Sequence, residues 1–179
     1  FHVFTHAFFK GALFLCAGAV IHSMHHEEDM FKMGGLKKYM PKTWLAYLFA
    51  TLCIIGFPLT SGFFSKDEIL FMSYLSAGDG FPLLYAFGMV TAFFTAIYMS
   101  RSLFLTFHGT DERIDPHVKE HLHEAPSNMW MPYMILAVLA LGIGFLNVPK
   151  AIPLPGIGGS ASFHHFLAPV VDRGSDHIA

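Results

Sequence analysis

Phe1-His2-Val3-Phe4-Thr5-His6-Ala7-Phe8-Phe9-Lys10-Gly11-Ala12-Leu13-Phe14-Leu15-Cys16-Ala17-Gly18-Ala19-Val20-Ile21 decides the class of this protein. The run is apolar except for His2, His6 and Lys10, and a helix needs about 20 such residues to cross ~30 Å of hydrocarbon. Three further runs match it: from about Trp44 to Leu75, from about Phe81 to Phe107, and from about Asn128 to Val148. None alternates as a barrel strand does, and no short repeat is visible. The sequence predicts an all-α, polytopic transmembrane bundle with spans near 1–21, 44–75, 81–107 and 128–148, followed by a non-cytoplasmic segment, 149–179, leading to a further span.

Composition agrees with lipid as the solvent. Of 179 residues, 54% are hydrophobic, 16% aromatic and 13% charged, against about 25% charged in an ordinary soluble domain. So little charge cannot cover a globular surface, which excludes a soluble enzyme domain. A formal net charge of −2 excludes nucleic-acid binding, which needs a basic stripe. Cys16 and Cys53 both lie inside apolar runs, so neither a disulfide framework nor a zinc knuckle is expected. With neither an initiator methionine nor a basic leader, and a polar stop at Ala179, the chain is expected to be an internal piece of a longer membrane protein.

The loops orient the spans. Lys32, Lys37, Lys38 and Lys42 follow the first run, and Arg101, Arg113 and Lys119 flank the connection from the third to the fourth. The Ser76–Gly80 turn has no basic residue, and the tail has only Lys150 and Arg173. The positive-inside rule puts the two basic loops in the cytoplasm, with Arg101 snorkelling to that interface.

The second run is too long for one straight helix and too short for two. Pro58 removes a backbone donor and would clash with the carbonyl of Ile54; Gly56 and Gly62 bracket it, and Ser65 with Glu68 has the spacing of a capping box. Two half-helices with an irregular stretch near Pro58–Phe63 are therefore expected. Transporters place ion sites at such breaks, because lipid does not tolerate unpaired backbone. A simple proline kink with Lys66 at the interface is the other reading.

His2, His6 and Lys10 are spaced i, i+4, i+8, an arc of about 80° rising roughly 12 Å along one helix face, with Thr5 beside them. A lysine at mid-bilayer costs at least ~2.5–3.5 kcal/mol, and nothing structural in that helix requires one. Burial disfavours an ammonium's charged form, and an imidazole can accept a proton at one nitrogen and release one at the other. A stripe of these groups suits proton relay, and Lys66 with Asp67 or Glu68 beside it is a second station. A packing role for a single histidine remains the plainer alternative.

Metal chemistry is less well served. His2 and His6 have the spacing of a zincin helix, but Val3 stands where that motif needs its glutamate. His25, His26 and Glu27, and His117, His121, His123 and Glu124, form histidine-rich loop clusters that read as solvated surface; no structural metal is expected. Gly156, Gly158 and Gly159 lack the strand and helix of a nucleotide loop. No haem or iron–sulfur ligands are visible, so no cofactor is expected in this chain, and no residue is assigned a catalytic role.

Thr5-His6-Ala7-Phe8-Phe9-Lys10, Leu13-Phe14-Leu15, Gly18 through His22, His26 through Leu36, Ser61 through Leu70 and Phe107-His108-Gly109 together resemble the antiporter-like subunits of respiratory complex I, and among them the L branch, called chain 5 in mitochondria. The motif-level resemblance covers residues 1 to about 110. It implies many spans built on two inverted five-helix repeats around a hydrophilic axis. By resemblance, Lys10 is the central proton-carrying residue of the eleventh helix, His2 and His6 extend its path, and Lys66, with Asp67, sits on the broken twelfth helix toward the periplasm. It also implies cytoplasmic loops around Lys37 and His117. Gly11 departs from the usual alanine, and the glutamate–lysine pair of the first repeat and the lateral helix are not in this sequence. The chain then holds at most half of a channel.

The expected function is proton translocation within NADH:quinone oxidoreductase, coupled to quinone reduction. The expected partners are other membrane subunits of that complex, lipid, protons and internal water. The expected location is the bacterial inner membrane, or alternatively the mitochondrial one. The competing readings are a large subunit of a multi-subunit sodium/proton antiporter and a structural membrane segment.

Overall fold

The computed structural model of the protein describes residues 1–75, 82–147 and 166. Among these every regular element is helical. The Ser76–Gly80 turn, Lys150, Arg173, the glycines at 156, 158 and 159 and the segment 149–179, apart from residue 166, lie outside the described residues.

Helix α1, His2–Ser23, has 22 residues, about 33 Å at 1.5 Å per residue. Its buried residues Thr5, Phe9, Ala12, Cys16, Ala19 and Ser23 recur at helical spacing and form one stripe. Helix α2, Pro41–Ile55, begins with a proline in its first turn, where no backbone donor is lost; the apolar run therefore starts three residues before Trp44. Helix α3, Glu68–Leu75, follows a π-helical turn over Phe63–Asp67. Helix α4, Pro82–Phe107, is the longest at 26 residues. A short α5, Pro116–Glu120, precedes α6, Ser127–Gly142, which runs on as a 3₁₀ turn to Leu146. Three helices are long and apolar enough to cross a membrane. The fourth expected span is α2, 15 residues long and so about 22 Å, continued by the segment that ends in α3.

Helices α1, α2 and α6 pack together as the core, and α4 lies outside against α2 and α3. The core seam is built from small residues: Ala12, Cys16 and Ala19 on α1, Ala46, Ala50 and Cys53 on α2, Ala137 and Ala140 on α6, all fully buried. Many large side chains face outward, among them Phe14, Phe87, Phe93 and Phe104, while Phe9, Phe107 and Tyr133 are buried. In water this arrangement would be inside out. In lipid, close backbone approach drives helix association while phenylalanine is at home against acyl chains.

Aromatic belts mark both edges. Both tryptophans sit at the basic-loop end, with Lys37 Nζ 3.9 Å from the Trp44 ring and Lys42 Nζ 4.0 Å from the Trp130 ring. Arg101 lies at this edge too, 5.6 Å from the Phe31 ring. At the opposite edge Tyr74 and Tyr85 approach to 5.4 Å between centroids. Tryptophan and tyrosine prefer the headgroup level.

The break in the second run differs in cause from the one expected. Helix α2 stops at Gly56, which adopts φ +80°. Gly56 N–H donates to Cys53 O at 3.1 Å and Phe57 N–H to Leu52 O at 2.9 Å, the paired bonds of a Schellman motif. The helix has therefore ended before Pro58 could clash with Ile54. The irregular stretch is 56–60 rather than 58–63, and includes Leu59 at φ +69°. Nor does the chain restart on a Ser65–Glu68 capping box: Phe64 N–H already donates to Thr60 O, and the Ser65 hydroxyl is turned to α1.

Candidate functional site

The helix break and the polar stripe of α1 meet. His2, His6 and Lys10 line a cavity of about 460 Å³ together with Lys66 and, from α4, Thr91, Thr95 and Tyr98. The two histidine rings are 5.9 Å apart between centroids. Lys10 Nζ lies 5.1 Å from the Phe14 ring. Asp67 faces elsewhere, into a neighbouring cavity of about 310 Å³ with Tyr74 and Tyr85.

Lys66 is held by the break itself. Its ammonium donates to Ile55 O at 2.7 Å, a carbonyl left over where α2 ends. That end also carries the negative pole of the helix dipole, which favours a cation. Gly56 makes the approach possible: a Cβ there would lie 2.9 Å from Lys66 Nζ. Gly62 brings the two half-helices together, since a Cβ on it would fall on the Cys53 carbonyl oxygen. Among the described residues no ion pair joins Lys66 to Asp67.

The π turn places Ser65 against α1. Ser65 Oγ is 3.1 Å from His2 Nδ1 and 2.9 Å from Thr5 Oγ1, which donates to it. Thr5 Oγ1 also lies 3.0 Å from His2 O. Both hydroxyls are buried.

Sequence reasoning finds the histidines and lysines but misses the wall they face. Thr91, Thr95 and Tyr98 stand at i, i+4, i+7 on α4, and that periodicity in an otherwise apolar helix is the signal that could have found them. Thr91 and Thr95 donate to Phe87 O and Thr91 O within their own helix, so their oxygens keep free lone pairs toward the cavity.

The loop clusters serve structure. Glu124 accepts from Lys42 N–H at 2.7 Å and from Thr43 Oγ1 at 2.6 Å, capping α2 from another element. Thr43 Oγ1 also meets Tyr133 of α6 at 2.6 Å. Glu27 pairs with Lys32 at 2.7 Å. Asp111 accepts from Tyr39 at 2.7 Å and pairs with Lys119 at 2.9 Å; Lys119 and then Tyr39 hold its carboxyl down to about 2, and Asp111 in turn raises Lys119. The His121 ring lies 6.0 Å from that of His25, tilted, and 5.5 Å from that of His117, edge-on, and among the described residues no three potential ligands converge as a metal site.

Residues 1–95 match the family described as NADH:quinone oxidoreductase/Mrp antiporter, TM. The chain is similar to NADH-quinone oxidoreductase subunit L of Neisseria meningitidis serogroup B, 42% identical over 163 residues that cover 83% of this chain and 24% of that protein. It is similar to the subunit L of Pseudomonas aeruginosa, 42% identical over 158 residues, 88% of this chain and 24% of that one. It is also similar to NADH-ubiquinone oxidoreductase chain 5 of Phytophthora infestans, 40% identical over 147 residues, 82% and 22% of the two. The chain thus spans about a quarter of the length of the curated relatives it matches.

Proposed function

The chain belongs to the NADH:quinone oxidoreductase/Mrp antiporter transmembrane family, and from that premise we propose that it is part of a proton-translocating membrane subunit of NADH:quinone oxidoreductase. The observation that carries the reading is the shared cavity: two histidines and Lys10 on a continuous helix, and Lys66 at a helix break, line one space of about 460 Å³. Imidazoles exchange protons between their two nitrogens. Two ammonium groups facing one cavity repel, so a proton arriving at one favours release from the other. Quinone reduction elsewhere in the complex would drive the exchange by changing the charge along the axis. This segment holds no redox group in that scheme, and Asp67 adjusts the field at Lys66 from the neighbouring cavity. The complex would sit in a bacterial inner membrane, or alternatively the mitochondrial one, with the other membrane subunits and lipid as partners.

The test is Lys10→Ala and Lys66→Ala in the full-length subunit within the assembled complex. Protons moved per NADH oxidised should fall in both variants while NADH oxidation persists. Unchanged stoichiometry rejects the relay. The family description also names Mrp antiporters, and the second reading is a large subunit of a multi-subunit sodium/proton antiporter; co-purification with NADH dehydrogenase subunits supports the first reading, and with small hydrophobic partners alone the second.

A further inference from the structure

Helix α4 carries its polar stripe further than the cavity needs. Thr91, Thr95, Tyr98, Ser102 and Thr106 stand at i, i+4, i+7, i+11 and i+15. At about 100° per residue they share an arc of about 80° and rise about 22 Å along one face. The first three line the cavity, and the last two carry the stripe to the basic-loop edge, where the helix ends at Phe107. Ser102 is half-buried and Thr106 buried, so at this end the stripe faces protein and not lipid. What it faces is α2. Tyr47 Oη lies 2.7 Å from Ser102 Oγ, and Ile54 shares the cavity with Thr95 and Tyr98. Thr51 stands between Tyr47 and Ile54, at i+4 from the first and i−3 from the second, on the same face of α2. It is 2% exposed, and its hydroxyl has no hydrogen-bond partner among the described residues. Thr91 and Thr95 satisfy theirs on their own helix; Thr51 does not, and a buried unpaired hydroxyl is costly.

We propose that the α4 hydroxyl stripe, with Tyr47 and Thr51 of α2 facing it, is the proton connection between the cavity and the basic-loop side, the cytoplasmic one by the positive-inside rule. Successive rungs are one helical turn, about 5.4 Å, apart, the reach of one bridging water. Either hydroxyl of the Tyr47–Ser102 pair can be the donor. One of them takes a proton on a lone pair and passes its own across, and the partner releases its proton beyond. Both groups end neutral with the bond between them reversed. Thr51, one turn nearer the cavity, has an uncommitted proton and both lone pairs with which to continue the exchange. The use of the route in transport rests on the proton-relay reading above, to which it adds the way in.

The experiment uses the full-length subunit in the assembled complex. Thr51→Val keeps the shape of the side chain and removes its hydroxyl. The thermal midpoint should hold or rise, because an unpaired polar group has gone, while protons moved per NADH fall as far as in Lys10→Ala. Thr51→Ser, which keeps the hydroxyl, should pump as the parent does. Tyr47→Phe, which deletes the pair with Ser102, should show the same loss as Thr51→Val. Parent-level pumping in both Thr51→Val and Tyr47→Phe overturns the route, whatever Lys10→Ala does. A loss in Thr51→Val that Thr51→Ser shares marks a packing role and overturns it as well. Parent-level pumping in Lys10→Ala, with the loss kept in Thr51→Val and Tyr47→Phe, instead sinks the lysine relay and leaves the route standing.

Discussion

Helix α1 and the broken segment that ends in α3 each deliver a lysine to the same cavity, and they hold it in opposite ways. Lys10 projects from an unbroken helix whose carbonyls are engaged in its own ladder, and its ammonium lies near the Phe14 ring. Lys66 reaches back to a carbonyl that the Gly56 stop has set free. Inside a continuous helix each carbonyl is already engaged in the ladder, whereas an interrupted one has several left over. The break is thus a way of making a fixed dipolar acceptor for a cation out of backbone, without adding a carboxylate that would itself titrate.

Glycine substitutions break or sharpen this contrast. Gly62→Ala sets a methyl on the Cys53 carbonyl oxygen. It should destabilise the subunit by more than about 3 kcal/mol, beyond the usual overpacking range, seen as failure of the subunit to incorporate into the complex. A Gly62→Ala variant that assembles normally would mean the half-helices are not held by that contact. Gly56→Ala should cost about 1–2 kcal/mol for the left-handed conformation alone, and the new Cβ at 2.9 Å displaces Lys66 Nζ. Proton pumping should then fall with the complex still assembled, and parent-level pumping would detach Lys66 function from the carbonyl.

A lysine outside the membrane shows what water changes. Lys119 is paired with a carboxylate, Asp111, whose pKa falls from 3.8 to about 2, and Lys119 is raised above its ordinary 10.5. A depressed carboxyl stabilises above its unfolded value and loses that contribution as pH falls, here between about 4 and 2; the raised lysine contributes below 10.5 and is lost as pH climbs past it. The protection factors of amides in the 109–121 loop, corrected for intrinsic exchange, should hold level from about pH 4 to 10 and fall in acid. Asp111→Asn should remove the acid limb. The smallest effect belongs to α1: a Cβ at Gly11 meets only Leu136 Cδ1 at an ordinary 3.6 Å, so Gly11→Ala should stabilise by about 0.5–1 kcal/mol, measured as a modest rise in thermal midpoint.

Much of this was legible beforehand. The stripe of His2, His6 and Lys10 follows from helical periodicity, and the need for a break between Trp44 and Leu75 follows from length. The mechanism of the break was not, because a Schellman stop depends on φ +80° at one of two glycines, and the proline nearby offered a stronger but later signal. Ser65 reads as a cap from sequence because serine followed three residues on by glutamate fits a helix start as well as it fits a π turn; only the approach of α1 decides. Thr91 and Thr95 are hard to find from sequence because threonine hydroxyls satisfy themselves on their own helix and so do not announce what they face.

The wide turn over Phe63–Asp67 has a genetic corollary. A π turn accommodates one surplus residue in an otherwise continuous helix. Removing one of the five would restore ordinary winding and leave the residues from Glu68 onward close to their present directions, because the wide turn absorbs the surplus residue instead of passing it on. Phe71, Met72 and Tyr74 would stay on the outer face, and what would be lost is the turn of Ser65 toward α1. A codon deletion elsewhere in these helices would instead re-aim everything downstream by about 100°.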